Sequence, residues 1–285
     1  MRDSGCQAAG RCCIAAFLMT VAVTAQAVSV VETNVWSRAM GKVVPVSLVL
    51  PDGYGRQMKV RYPVAYLLHG LGGNHREYFE RTGKVCESVD KYGFVAVCPD
   101  GMVSSWWIDS PVDSKVRYET FVANELVPWV DGHLRTQPER ARRALVGASM
   151  GGYGAMMIGC AHKDVFGAVY SIHGAVELRP FANVTRWFLA ERLDPEKTLG
   201  PVWERYSVLE RAKNVSNGEL ELYMVIGSDD QHFLPGNRKL HELFSRNGVA
   251  HTYVEIRARA RFSSATARGF AIAREGCLGG LQRGS

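Results

Sequence analysis

Residues 143–160 read Arg-Ala-Leu-Val-Gly-Ala-Ser-Met-Gly-Gly-Tyr-Gly-Ala-Met-Met-Ile-Gly-Cys, and this stretch decides the fold. A short apolar run, Ala144–Gly147, has the look of a buried strand, and Tyr153–Cys160 opens a helix-like segment. Between them lies Gly147-Ala148-Ser149-Met150-Gly151, a GxSxG pattern. Strand before and helix after give this pattern its weight, because the serine then sits on a sharp turn that presents its hydroxyl. Small flanking residues let strand and helix approach each other. The start of the helix turns free N–H groups and the positive end of its dipole toward the serine.

Working outward, apolar β-branched runs recur with helical patterns between them. Val43–Leu50, Tyr62–Leu68, Phe94–Cys98, Ala168–Ile172, Leu220–Ile226 and Thr252–Ile256 read as further strands. Tyr118, Phe121, Val122, Leu126 and Val130 share one face of a 3.6-residue period, with Pro128 expected to kink or end that helix. Leu240, Leu243 and Phe244 make a second helical face, stopped at Asn247-Gly248. This alternation predicts an α/β fold with a mostly parallel central sheet flanked by helices. The less regular residues 175–217 are expected to form a cap or insertion over one sheet end. No repeat or linker divides the chain, so 28–256 reads as one domain.

Strand Tyr62–Leu68 runs into His69-Gly70-Leu71-Gly72-Gly73-Asn74. A turn of this kind supplies one backbone N–H of an oxyanion hole, and the residue after the nucleophile supplies the other, which nominates the amides of Leu71 and Met150. His69 is expected to be structural. An acid should follow late in the chain, and Gly227-Ser228-Asp229-Asp230-Gln231-His232-Phe233 comes directly after strand Leu220–Ile226. Asp229 and Asp230 both qualify by position.

At these residues the chain resembles the esterase family of α/β-hydrolases. That family includes esterase D-like S-formylglutathione hydrolases, tributyrin-type and feruloyl-type esterases and the mycolyltransferase antigens. The resemblance covers about 45–256. It rests on Tyr62-Pro63-Val64 leading into Leu67–Asn74, then Pro99-Asp100-Gly101, Trp106-Trp107 with Asp109-Ser110-Pro111, Glu125-Leu126-Val127-Pro128, and Gly147–Ala155. It implies an α/β-hydrolase fold and serine carboxylesterase chemistry on a small-molecule ester. Ser149 would be the nucleophile, Leu71 and Met150 the oxyanion donors, Asp230 the acid, and Trp106 and Trp107 neighbours of the substrate pocket. Acyl transfer to an alcohol is the same chemistry with water replaced. No cofactor is called for, and no His/Cys cluster has metal-ligand spacing.

The family pattern next expects a strand, a Gly-x-His turn and a closing helix. Ala250–Ile256 fits the strand, but no histidine follows it. After Asp230 the chain offers only His232, on the same loop, His241, in a helical pattern, and His251, at the start of the last strand. None suits a base reaching Ser149. Loss of a triad base costs several orders of magnitude in rate. The alternative to an esterase is therefore a catalytically dead hydrolase acting as a binding protein. Residues 257–285 hold six Arg, six Ala and five Gly with one acidic residue, and the composition changes abruptly after Ile256. This Arg/Ala/Gly-rich tail reads as a degraded closing segment, and a shifted reading frame would explain it.

The other end explains itself. Arg2 and Arg11 precede an apolar run, Ile14–Val23, and then Ala25-Gln26-Ala27. This is the layout of a signal peptide cut after Ala27, so the protein is expected to be secreted or periplasmic, with no membrane span. Cys6, Cys12 and Cys13 would leave with it. Cys86, Cys98, Cys160 and Cys277 would stay, open to three full pairings or to free buried thiols.

Length and charge set the outer bounds. The chain has 285 residues, 47% hydrophobic and 22% charged, which excludes a mainly disordered or coiled-coil protein. The formal net charge of +6 suggests a polyanion partner only at first sight. Residues 257–285 carry six Arg against one Glu, and residues 1–27 carry Arg2 and Arg11 against Asp3. Residues 28–256 hold 26 basic and 26 acidic side chains, so no nucleic-acid partner is expected.

Overall fold

The computed structural model describes residues 28–80, 84–184, 187–198 and 200–257. The eight strands are β1 (Ser29–Ser37), β2 (Lys42–Leu50), β3 (Val64–Leu68), β4 (Val95–Pro99), β5 (Arg143–Ala148), β6 (Ala168–Ile172), β7 (Glu221–Gly227) and β8 (Thr252–Ile256). They form one sheet in the order β1-β2-β4-β3-β5-β6-β7-β8. β1 with β2 and β2 with β4 are antiparallel, and every pairing from β4 through β8 is parallel. β3, β4, β5 and β6 are buried at every position. Parallel strands covered on both faces read as continuous apolar runs, which is why these are legible in the sequence. The two faces feed two core clusters. One is built around Tyr66, Leu68, Phe121, Tyr153 and Phe244, the other around Ala65, Leu67, Val89 and Ala96.

The structure adds β1, which the sequence pattern does not reveal. Five of its first six positions are exposed and only Val35 and Ser37 are buried, so it carries little apolar signal. Its pairing with β2 over Ser29–Ser37 rests on the backbone ladder. The helix predicted around Phe121 is also different in detail. The chain stays helical past Pro128, which stands in the first turn of a following α-helical stretch. α-helical Tyr118–Thr120 passes into a wide π turn, Phe121–Leu126, and then into helix Val127–His133. Proline has no N–H for the carbonyl four residues earlier and its ring crowds that carbonyl, and the wider turn relieves both. Helix Leu234–Arg246 ends as expected at Asn247, followed by Gly248 at φ +65°.

In the segment expected to be a cap, 175–217, the described residues include the short helices Leu189–Leu193, Val202–Arg205 and Val208–Ala212. Within it buried Asp194 accepts the Trp203 indole N–H at 2.9 Å, and the segment is fastened to the body by Ser110, whose hydroxyl donates to the Arg192 carbonyl at 2.6 Å. Cys86, Cys98 and Cys160 are free thiols, and burial pushes the Cys160 thiol up to about 12. Cys277, the leader 1–27 and the tail 258–285 lie outside the described residues. Among the described residues no helix is long and apolar enough to cross a membrane, and no group of three or more His, Cys, Asp or Glu is placed to hold a metal.

Candidate active site

Ser149 stands at the carboxyl end of β5, before helix Met150–Ala161, with φ 57° and ψ −116°. A non-glycine residue in such backbone costs about 1–3 kcal/mol and persists only where the surroundings dictate it. Here they do. A Cβ on Gly151 would fall 1.8 Å from the Leu68 carbonyl oxygen, and one on Gly147 would fall 2.1 Å from the Gly151 oxygen. Only glycine lets β3, β5 and the helix meet this closely. The Ser149 N–H donates to the Ile172 carbonyl at 2.9 Å, which ties the turn to the end of β6.

The turn after β3 lies against Ser149, because Leu68 pairs with Gly147. A Cβ on Gly70 would be 3.7 Å from Ser149 Cβ. Gly72 N–H donates to Val103 and Gly73 N–H to Gly70, so the segment carrying Leu71 is fixed from both sides. Met150 directly follows Ser149 as the first residue of the helix and is fully buried. The two nominated oxyanion donors therefore adjoin the serine, Leu71 on the turn after β3 and Met150 at the start of the helix.

His69 is structural, as expected. Its Nε2 accepts the Gly101 N–H at 2.8 Å, which makes Nδ1 the protonated nitrogen, 2.8 Å from the Gly70 carbonyl. Burial holds its pKa below the ordinary imidazole value.

Trp106 and Trp107 are almost wholly buried, both at φ 56°. Trp107 donates its indole N–H to the His69 carbonyl at 3.1 Å. It fills a slot between Gly101 and Gly154, where an added Cβ would come within 2.5 Å of it on either side. Trp106 donates to the Trp187 carbonyl at 2.8 Å and meets the Tyr153 ring edge-on. Both underpin the site from within the core. The aromatic groups nearer the acid loop come from elsewhere: Phe181 and Trp187 of the cap pack on Phe233 with ring centroids 5.5 and 5.7 Å away.

Asp230 follows the end of β7 and is the carboxylate that turns inward. Asp229 accepts the neighbouring Ser228 hydroxyl in an exposed pair. Asp230 Oδ1 accepts the N–H groups of His232 (3.1 Å) and Phe233 (2.9 Å). Its Oδ2 lies 3.3 Å from His173 Nδ1. Burial pushes this carboxyl up, but the hydrogen bonds from His173, Phe233 and His232 outweigh it and hold the pKa below the usual aspartate value. His173 is the group that sequence reasoning misses. It directly follows β6 and precedes Asp230 in the chain, so the order Ser, Asp, His does not point to it. The available signal is an imidazole at the end of the strand next to the serine's own.

The three later histidines stay away from the serine. His232 gives Asp230 only its backbone N–H. His241 Nδ1 and His251 Nε2 are 2.7 Å apart, and His251 precedes Thr252 at the amino end of β8. That is the sheet end opposite Ser149. A groove of about 310 Å³ lined by Leu50, Pro51, Gly53 and Tyr54 is also at that end, since Val49 pairs with Ala96 near the start of β4.

Residues 37–265 match the family described as "Putative esterase". The chain belongs to this esterase family. Its likeness to Esterase Rv1288 of Mycobacterium tuberculosis is 30% identity over 247 residues, 76% of this chain and 52% of that protein. The chain thus spans about half the length of that relative. The S-formylglutathione hydrolase of Agrobacterium tumefaciens superposes with a TM-score of 0.73 at 18% identity, covering 91% of this chain and 97% of that one. A ferulic acid esterase from Anaeromyces mucronatus gives 0.65 at 18%, covering 91% and 94%. These solved structures establish the α/β-hydrolase fold for this chain.

Proposed function

We propose that this protein is an exported serine carboxylesterase whose nucleophile is Ser149. The observation that carries the reading is the backbone of Ser149, held at positive φ by glycine contacts at the junction of three strand ends. The hydroxyl oxygen attacks the ester carbonyl carbon, the carbonyl oxygen takes up the negative charge, and the N–H groups of Leu71 and Met150 receive it. The alcohol leaves with the proton that Ser149 gave up, water attacks the acyl-serine, and the free acid departs as a proton of that water restores the Ser149 hydroxyl. An alcohol in place of that water gives acyl transfer, so the same centre could serve as an acyltransferase.

The test is covalent labelling. An alkyl fluorophosphonate is expected to add to Ser149, and Ser149→Ala is expected to abolish both the adduct and p-nitrophenyl acetate turnover. Unlabelled but folded protein would leave the binding-protein reading. Export rests on the composition of residues 1–27, and its check is the mature amino terminus, expected at Val28.

A further inference from the structure

We propose that two copies of this chain join edge to edge through β1, antiparallel and centred on Thr33, into one continuous sheet with eight strands from each copy. β1 is the outermost strand, so one side of its backbone has no neighbouring strand among the described residues. A free strand edge presents a row of N–H and C=O groups ready to pair with another strand. Folded chains usually blunt such an edge with proline, lysine, a bulge or a very short strand. β1 has none of these devices. It reads Ser-Val-Val-Glu-Thr-Asn-Val-Trp-Ser, and its nine residues pair with β2 in one unbroken register, from Ser29 against Leu50 to Ser37 against Lys42. Its one charged side chain, Glu32, is taken up by Arg76 of the same chain at 2.6 Å.

Apolar exposure is concentrated along the same edge. Val30, Val31 and Trp36 of β1 and Val43 of β2 are four of the nine large hydrophobic side chains left exposed among the described residues. Trp36 is paired with Val43 across the two strands, so both stand on one face of the sheet, 57% and 51% exposed. Exposed apolar side chains scattered singly need no explanation, but four gathered at one unpaired strand edge make a patch.

The order of residues in β1 selects a second copy as the partner. A two-fold axis through an antiparallel strand pair sets one residue against itself. With Thr33 at that centre all nine residues are matched: Ser29 meets Ser37, Val30 meets Trp36, Val31 meets Val35 and Glu32 meets Asn34 of the other copy. Val30 then lies beside Trp36 on the face that Trp36 shares with Val43, and Val31 lies beside Val35, so the exposed apolar groups cover one another across the seam. Thr33 against Thr33 is itself a favourable cross-strand pair. Moving the centre to Glu32 would set two carboxylates opposite each other, and moving it to Asn34 would set Glu32 against Trp36. Either shift leaves strand residues without a strand partner. No like charges meet in the Thr33 register, and residues 28–256 hold 26 basic and 26 acidic side chains, so the copies do not repel at long range. A contact along one strand of about 30 Å is small for a permanent dimer, so a reversible association with a Kd of about 1–100 μM is expected.

The experiment uses protein purified after expression of the full chain. Light scattering over a concentration range of about 1–500 μM is expected to show the mass rising from one chain toward two. Thr33→Cys reads the register. Opposed residues of antiparallel strands have Cα atoms about 4.5–5.5 Å apart, so a glutathione disulfide buffer is expected to oxidise two such thiols to an intermolecular disulfide that dithiothreitol reverses. Trp36→Cys is expected not to link, because the two positions 36 would lie about 20 Å apart, and the parent with its own thiols is the blank. The double variant Val30→Glu/Trp36→Glu sets like charges opposite each other and is expected to stay one chain over the whole range with its thermal melt kept. Should it not fold, hydrogen exchange of the parent decides, with β1 amides expected to gain protection as concentration rises. A parent of one chain at the highest concentration, or a dimer whose Thr33→Cys form does not link, would overturn the proposal. β1 amides equally protected at every concentration would assign the edge to another segment of the same chain and overturn it as well. None of these outcomes bears on the esterase reading, which rests on Ser149.

Discussion

The turn that carries Ser149 and the loop that carries Asp230 face each other across β6, and they are held by different forces. The serine turn is fixed by backbone packing: Gly151 against Leu68, Gly147 against Gly151. The aspartate loop is fixed by hydrogen bonds, from His173, His232 and Phe233 to one carboxylate and from Asn237 to two carbonyls. Steric fixation is insensitive to pH and tolerates almost no added atom. Polar fixation tolerates shape changes but depends on ionisation. Mutations and pH should therefore separate the two.

The largest effect expected is on chemistry. Ser149→Ala should lower kcat by at least about 10³-fold with the fold intact, checked by turnover and thermal melting together. Next comes the support under the turn: Trp107→Ala leaves a large hole between Gly101 and Gly154 and should cost about 3–5 kcal/mol in denaturant unfolding. Gly151→Ala asks a rigid backbone to move. We expect about 1–3 kcal/mol of lost stability and loss of serine labelling in whatever folds, whereas a fully active Gly151→Ala protein would break the steric half of the comparison.

These contrasts show why one half of the site is legible in the sequence and the other half is not. Steric fixation leaves glycines at set spacings, so Gly147, Gly151 and Gly154 mark the serine turn by their positions in the chain alone. The buried strands β3–β6 stand out for a similar reason, since apolar runs are what a covered parallel sheet demands. Polar fixation leaves no such spacing. His173, 57 residues before Asp230 in sequence, meets it only because β6 and β7 are neighbours. β1 escapes notice because its positions are mostly exposed, and the burial of the tryptophan pair does so because side-chain direction at φ 56° does not follow from residue type.

The smallest effect expected is the acid dependence of stability, and it belongs to the polar half. Glu119 lies among His162 and Arg211; burial pushes its carboxyl up, but the bonds from His162 and then Arg211 prevail and hold it below the ordinary glutamate value. A depressed carboxyl contributes stability above its unfolded-state pKa and loses it as pH falls through the folded value. Asp230 has the same sign. Melting temperature should therefore decline as pH drops below about 4.5, and Glu119→Gln should flatten that decline. A Glu119→Gln variant with the parent's acid profile would show that this cluster is not linked to folding.

The role of Ser149 as nucleophile is tested most directly by the intact and peptide mass of the full protein after treatment with a fluorophosphonate. It predicts one adduct per chain, on the peptide containing Ser149, and none in Ser149→Ala. An unmodified folded protein, or an adduct on any other residue, would contradict it.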